Sequence, residues 1–441
     1  MLYERLSQRG WGETVAETAH KPFDQGAVNT LHLLQELLRD YHPRDFAVQL
    51  NDGSSWPPEP SQFCRFSWRI NDPGVLRAAI LSANQVALGE AYINGAFDIE
   101  GDLEAAFRLG DYLLSKHWSP KEKLRLGAWA LRLPHSHTVA PHLHGRLHSK
   151  QRDQQAVSYH YDVSNDFYAL WLDKEMVYSC AYFHTPHDDL DTAQRQKLDY
   201  CCRKLRLKPG DRLLDIGCGW GGLIIHAARE YGVRALGVTL SQQQRELARQ
   251  RMQTAGLADR CEVRLLDYRA VEQPESFDKI VSVGMVEHVG ESQLSEYFHH
   301  AYRLLRPGGV FLNHGIGRAG DRPKPAELTF TDVYVFPDGE LSPISTTLGY
   351  AEQAGFEVRD VENLREHYAL TLGHWLRRLE NHGEEARRMV GETKYRIWRV
   401  YMAGSAHYFK TGRIDVYQTL LVKRDSGKSG LPLTREEWYS N

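Results

Sequence analysis

The chain has 441 residues, of which 42% are hydrophobic and 25% charged, with a formal net charge of −3. That length exceeds one ordinary hydrophobic core and implies two domains, while the near-neutral charge excludes a globally basic nucleic-acid binder. The six Cys residues (64, 180, 201, 202, 218 and 261) contain no CxxC pair, no apolar signal core opens the sequence, and no uninterrupted apolar run reaches the ~18 residues of a membrane span, so a reduced cytoplasmic chain is expected.

Residues 1–115 begin with helical patterns and continue with "FAVQLNDGSSW" (46–56) and "QFCRFSWRI" (62–70), which alternate as two strands joined by a turn. "DPGVLRAAILSANQVALGEAYINGAFDIEGD" (72–102) reads as helix, short helix and turn, giving a small α+β domain. Residues 116–150 read as a basic linker: Lys116, Lys121, Lys123, Arg125, Arg132, Arg146 and Lys150, with Arg152 just beyond, face the single acid Glu122. Within it "KEKLRLGAWALRL" (121–133) mixes basic residues with Leu and Trp129, as an interfacial helix does. His135, His137, His142, His144 and His148 follow in a Pro-bearing polar stretch with no Cys or acidic partners, so no metal site is expected; near an anionic membrane they would add positive charge at mildly acid pH.

From 151 to 424 the rhythm is strand, helix, strand. "DRLLDIG", "RALGVT", "CEVRLLD", "DKIVSVG" and "GVFLNHG" are strands separated by helix-length segments such as "SQQQRELARQRMQTAG" (241–256). That alternation predicts an α/β fold with a doubly wound, mostly parallel sheet. "FEVRDVENL" and "VYQTLLVKR" are later strands, and the polar tail 425–441 is expected to be loose.

"LLDIGCGWGGL" (213–223) places a glycine-rich turn after the first of these strands. Such a turn lets backbone approach a ligand and aims a helix N-terminus at it. A dinucleotide site would also place a carboxylate at the end of the next strand, where this chain reads "LGVTLSQQQ". The acid stands instead at Asp215, in a D-x-G-x-G-x-G pattern that resembles motif I of the S-adenosylmethionine-dependent methyltransferases.

"HYDVSNDFYALWLDKEMVYSCAYF" (160–183), "LLDIGCGWGG", "GVTLSQQQ", "DYRAV", "VSVGMVEHVG" and "FLNHGIG" occur in this order. Together they resemble the cyclopropane-fatty-acyl-phospholipid synthases and the related mycolic acid cyclopropane synthases, and "GEAYINGAFDIEGD" extends the likeness into the N-terminal domain. The resemblance implies a Rossmann-like methyltransferase domain preceded by a small lipid-binding domain. It also implies that Tyr178, Ser179, Asp215, Gly217, Gly219, Thr239, Gln244, Asp267 and Tyr268 contact S-adenosylmethionine. Thr239 and Gln244 offer neutral hydrogen bonds, and an aromatic face such as Tyr268 suits adenine or a sulfonium. A phospholipid bilayer with an anionic surface is the implied partner, a homodimer the implied assembly, and the inner face of the cell membrane the implied location.

Methyl transfer to an isolated alkene leaves a carbocation, and ring closure needs a base in a dry site. In the similar synthases that base is a bound bicarbonate ion. Its cage is implied at Cys180 and Ile316, through backbone N–H groups, and at Glu287, His314 and Tyr368, through side chains. Ser405 stands where many relatives carry Cys, so no covalent thiol step is available there. Tyr334, Phe336 and Trp375 are candidates for the wall of an acyl tunnel and equally for plain core. Three alternatives remain: methyl or methylene branching of acyl chains, a non-catalytic lipid-binding protein on the same fold, and a small-molecule methyltransferase. A complete cage favours the ring.

Overall fold

The computed structural model describes residues 25–74, 76–77, 85–133, 164–321, 328–337 and 339–439. The segment before 25, His135 to His148, Arg146, Lys150, Arg152 and the start of the 160–183 motif therefore lie outside the described residues.

Period-two alternation builds the N-terminal sheet. In β1 (Phe46–Leu50) and β3 (Phe66–Ile70) alternate residues are buried, Phe46, Val48 and Leu50 facing the same core as Phe66, Trp68 and Ile70. With β2 (Ser55–Trp56) and β4 (Phe97–Gly101) the order is β2-β1-β3-β4. The two long strands are not a hairpin, as the sequence suggests; they pair in parallel from Phe46↔Phe66 to Leu50↔Ile70. The reverse turn leads only into the two-residue β2, and the parallel register stacks Phe46 on Phe66 with ring centroids 4.8 Å apart.

The expected linker is in part a packed helix. Pro120–Ala130 is started by Ser119 and Glu122 in a reciprocal capping box with Pro120 at its first position. Leu126, Ala130 and Leu133 are buried, and the helix lies against the Gln25–Leu37 helix. Part of the charge excess is met from elsewhere in the chain, since Arg125 meets Glu36 at 2.6 Å and Lys116 meets Asp40 at 2.8 Å.

The second sheet has the order β10-β11-β9-β8-β5-β6-β7. β5 (Arg212–Ile216), β6 (Arg234–Thr239), β7 (Cys261–Leu265), β8 (Phe277–Val283) and β9 (Leu305–Arg318) are parallel neighbours, while β11 (Ile414–Val422) runs antiparallel between β9 and β10 (Glu357–Asn363). The chain winds outward from β5 through β6 to β7, then crosses back to β8. This reversal opens a crevice at the strand C-termini beside β5, where doubly wound sheets bind ligands.

The large sheet has a buried cluster on each face, while the N-terminal sheet shares its interior with the helices beside the site. One apolar cluster runs from Leu33, Phe46 and Trp68 to Trp171, Trp375 and Met402. The Leu103–Ser115 helix packs on the long Gly383–Lys410 helix, where Asp111 meets His407 at 2.6 Å. The tail is also tied down: Trp438 is buried beneath Lys204, and Arg435 reaches Asp360 at 2.7 Å. Among the described residues no helix is long and apolar enough to cross a membrane.

Candidate active site

β5 is buried along nearly its whole length and delivers Asp215 to its C-terminal end, 3% exposed. The turn that follows requires glycine. Gly217, Gly219 and Gly221 have φ of 84°, 52° and 79°, the left-handed region that penalises a Cβ. A Cβ on Gly217 would lie 3.0 Å from Met285 Cγ, whereas one on Gly219 would project into open space. The Gly222–Tyr231 helix starts directly behind the turn.

Above this turn is a cavity of about 170 Å³. The structure brings Tyr178, Ser179, Asp215, Gly217, Gly219, Thr239, Gln244, Asp267 and Tyr268 together on its wall. Thr239, ending β6, donates from Oγ1 to Gln244 Oε1 at 2.7 Å, which leaves the Gln244 Nε2 as a donor. Both Asp267 oxygens accept from the Arg269 guanidinium, at 2.9 and 2.6 Å. Tyr268 stands edge-on to Tyr297, 5.6 Å away. Burial raises the Asp215 carboxyl to about 7 against the pull of the Lys197 ammonium.

The Cys180 group lies outside that wall, one layer further in. His314 pairs with Val283, the last residue of β8, and with Gln418 of β11. Gln418 Nε2 donates to His314 Nδ1 at 3.2 Å, which puts the imidazole proton on Nε2, a buried atom with no partner among the described residues. Burial drives this imidazole well below its ordinary pKa, so it is neutral. Glu287 sits in the short 3-10 turn Val286–His288; its Oε1 accepts the Ile316 N–H at 2.6 Å, and its Oε2 is buried without a partner among the described residues. Burial lifts its carboxyl to about 7. The Ile316 amide, expected to grip an anion, is therefore committed to Glu287. Cys180 and Tyr368 converge on the Leu364 carbonyl, which accepts the Cys180 thiol at 3.7 Å and the Tyr368 N–H at 3.1 Å. Burial pushes that thiol up, so it is no thiolate nucleophile.

The expected tunnel aromatics divide. Trp375 is fully buried against Trp171 and Tyr178, with centroids 5.5 and 5.1 Å away, and Phe336 lies 5.6 Å from His288 and 5.7 Å from Tyr401. Tyr334 instead donates its hydroxyl to Glu90 at 2.9 Å, tying the site to the N-terminal layer. Ser405 lies one helical turn beyond Tyr401 on the Gly383–Lys410 helix.

The family described as mycolic acid cyclopropane synthetase matches residues 148–419. The chain belongs to this cyclopropane synthase family. A probable fatty acid methyltransferase of Pseudomonas putida is 45% identical over 396 residues, 89% of this chain and 95% of its own. The cyclopropane-fatty-acyl-phospholipid synthase of Escherichia coli strain K12 is 34% identical over 362 residues, 80% of this chain and 87% of its own. Among solved structures, the mycolic acid cyclopropane synthase CmaA1 complexed with SAH and CTAB superposes with a TM-score of 0.57 at 34% identity, covering 64% of this chain and 99% of that one. Membership makes this chain an S-adenosylmethionine-dependent methyltransferase enzyme, in a family whose activity is one-carbon transfer to lipid chains. The cavity fits that cofactor, with left-handed glycine backbone at Gly217 and Gly219 on its wall, a neutral donor at Gln244 Nε2, and acids at Asp215 and Asp267.

Sequence reasoning missed the wall residues Lys197 and His288 and the support that Gln194 gives from behind. Lys197, 1% exposed, donates to Ser179 Oγ at 2.9 Å, and Gln194 donates to the Ser179 carbonyl at 2.8 Å. Both sit at inward positions of the Leu190–Leu205 helix with Leu190, Ala193 and Cys201, so helical periodicity carried the signal. His288 also lines the cavity, where burial lowers its imidazole to about 4.

Proposed function

We propose that this enzyme closes cyclopropane rings across cis double bonds of unsaturated phospholipid acyl chains, with bicarbonate as base. One observation carries the reading: buried beyond the cofactor cavity, the Glu287 Oε2 acceptor and the His314 Nε2–H donor both lack partners among the described residues. A buried unpaired polar group costs about 1–3 kcal/mol, so such a pair favours a ligand that both donates and accepts. Bicarbonate has one proton to offer a carboxylate and oxygens to accept from an imidazole, and when bound it supplies the base. Ile316 orients Glu287, and Gln418 fixes the His314 tautomer.

The alkene π pair bonds to the cofactor methyl carbon as the carbon–sulfur bond breaks, leaving positive charge on the acyl chain. Loss of a proton from the added methyl then closes the ring. Tyr178 and Trp375 offer aromatic faces to that charge, worth about 0.5–2 kcal/mol. The buried wall keeps out water that would trap the cation. The Pseudomonas putida relative favours a second reading, in which the cation ends as a methyl branch.

Access to bilayer lipid is assigned to the N-terminal layer as a lipid-binding domain. The Pro120–Ala130 helix and the turn after it leave Leu124 79% and Leu131 63% exposed beside Lys121, Lys123 and Arg132. This suits a cytoplasmic enzyme peripheral to the inner, anionic face of the membrane, with a second copy helping to hold it there. The test is turnover on vesicles of unsaturated phospholipid, against the free fatty acid and in buffers with and without bicarbonate. Bicarbonate-dependent product on the vesicles is expected; product from the free acid alone, or indifference to bicarbonate, contradicts the reading.

A further inference from the structure

The Leu190–Leu205 helix carries a polar column that neither the cofactor cavity nor the anion cage accounts for. Gln194 donates to the carbonyls of Val177 and Ser179 at 3.3 and 2.8 Å, so the helix clamps the strip from which Tyr178 and Ser179 enter the cofactor cavity. One turn on, Lys197 donates to Ser179 Oγ at 2.9 Å and itself lines that cavity. A further turn on, the Cys201 sulfur accepts from Gln418 Nε2 at 3.6 Å, and that same Nε2 meets His314. The column therefore runs from the cofactor cavity to the imidazole of the proposed base site, with Lys197 in the middle.

A lysine 1% exposed needs a reason, because burial strongly disfavours an ammonium. Burial does lower its pKa, while Asp173 and Asp215 oppose the fall. Asp173 accepts the Glu175 and Val177 N–H groups at 2.8 Å each; burial raises its carboxyl, and these two bonds oppose the rise. On the cofactor side Lys197 shares the cavity wall with Asp215, Asp267 and Arg269, so its ammonium is one of two positive groups facing two acids. On the other side the Lys197 charge bears on Cys180 and His314, two members of the anion cage.

We propose that Lys197 is a positioning residue that joins the two sites: held on Ser179, its ammonium faces Asp215 across the cofactor cavity and draws the anionic base into the cage beyond it. The inference rests on the bicarbonate reading and gives opposite signs for the two ligands. Without the charge, the bicarbonate needed for half-maximal turnover rises roughly tenfold or more. Affinity for the cationic S-adenosylmethionine stays unchanged or tightens.

Lys197→Gln removes the charge but keeps a hydrogen bond to Ser179, Lys197→Met removes both, and Lys197→Arg keeps the charge. Circular dichroism establishes the fold, titration calorimetry reads S-adenosylmethionine affinity, and turnover on unsaturated phospholipid vesicles is followed against bicarbonate. The Gln and Met variants are expected to share the raised bicarbonate requirement with undiminished cofactor affinity, and the Arg variant to lie nearer the wild type. Rescue by Gln but not by Met reduces Lys197 to a clamp on Ser179 and overturns the proposal. Parallel loss of both ligands in folded Gln protein overturns it as well. Should Lys197→Met fail to fold, the Gln and Arg pair decides. An unaltered bicarbonate requirement in Lys197→Gln rejects the role of Lys197 while the base site stands; a wild-type enzyme indifferent to bicarbonate rejects both.

Discussion

Replacing Glu287 with Gln should make the protein more stable and less active, with the stability gain growing as pH rises. The unfolded glutamate ionises near its ordinary 4.5, whereas burial lifts the folded group to about 7, the Ile316 N–H opposing the rise. Because the folded value is the higher, this stabilising contribution is fully present below pH 4.5 and is lost as pH rises through 7. At about 1.4 kcal/mol per tenfold in proton affinity, the loss amounts to about 3 kcal/mol. Gln cannot ionise, yet its carbonyl oxygen still accepts the Ile316 N–H. Variant and wild type should therefore match below pH ~4 and differ by about 3 kcal/mol in favour of Gln near pH ~9. Asp215, raised to about 7 as well, titrates in both proteins and cancels in the difference. Urea unfolding followed by Trp fluorescence across that pH range, paired with turnover, is the assay. A stability difference independent of pH, or a Gln variant less stable at alkaline pH, refutes the placement of Glu287 as a dry carboxyl held by one amide alone.

Gly217→Val should abolish S-adenosylmethionine binding by calorimetry, because φ is 84° and a Cβ would meet Met285 at 3.0 Å; unchanged affinity contradicts the cofactor assignment. Replacing Lys121, Lys123 and Arg132 with Gln should weaken flotation with anionic vesicles by ~1 kcal/mol per residue, lessened by salt, while Arg125 is left in place because Glu36 already holds it. Wild-type vesicle binding would make the Pro120–Ala130 helix purely structural. Trp438→Ala should lower stability by about 3 kcal/mol as a buried ring is lost; an unchanged unfolding midpoint restores the loose tail that its polar neighbours suggest.

The catalytic half was legible in the sequence because a buried parallel strand is nearly all apolar and its glycine turn is stereochemically constrained. "RLLDI" became β5, and Asp215 and Gly217 fall at its end. The N-terminal sheet was harder, since alternation in "FAVQL" and "FSWRI" fixes which face is buried but not which strand is the neighbour. Charge counting at 116–133 could not see that Arg125 and Lys116 are met by Glu36 and Asp40, which come from a distant stretch of chain. Lys197 escaped notice because a lysine reads as solvent-facing unless its helix face is plotted with Leu190 and Ala193. The Ile316–Glu287 bond depends on where a turn lies against β9, which no local pattern encodes.

The central claim is that a proton leaves the transferred methyl and a ring closes. S-adenosylmethionine carrying a fully deuterated methyl tests it directly, with unsaturated phospholipid vesicles as acceptor and mass spectrometry of the acyl chains as readout. Ring closure predicts a product that retains two of the three deuterium atoms and no longer reacts as an alkene. A product that keeps all three, as a methyl branch does, would contradict the account.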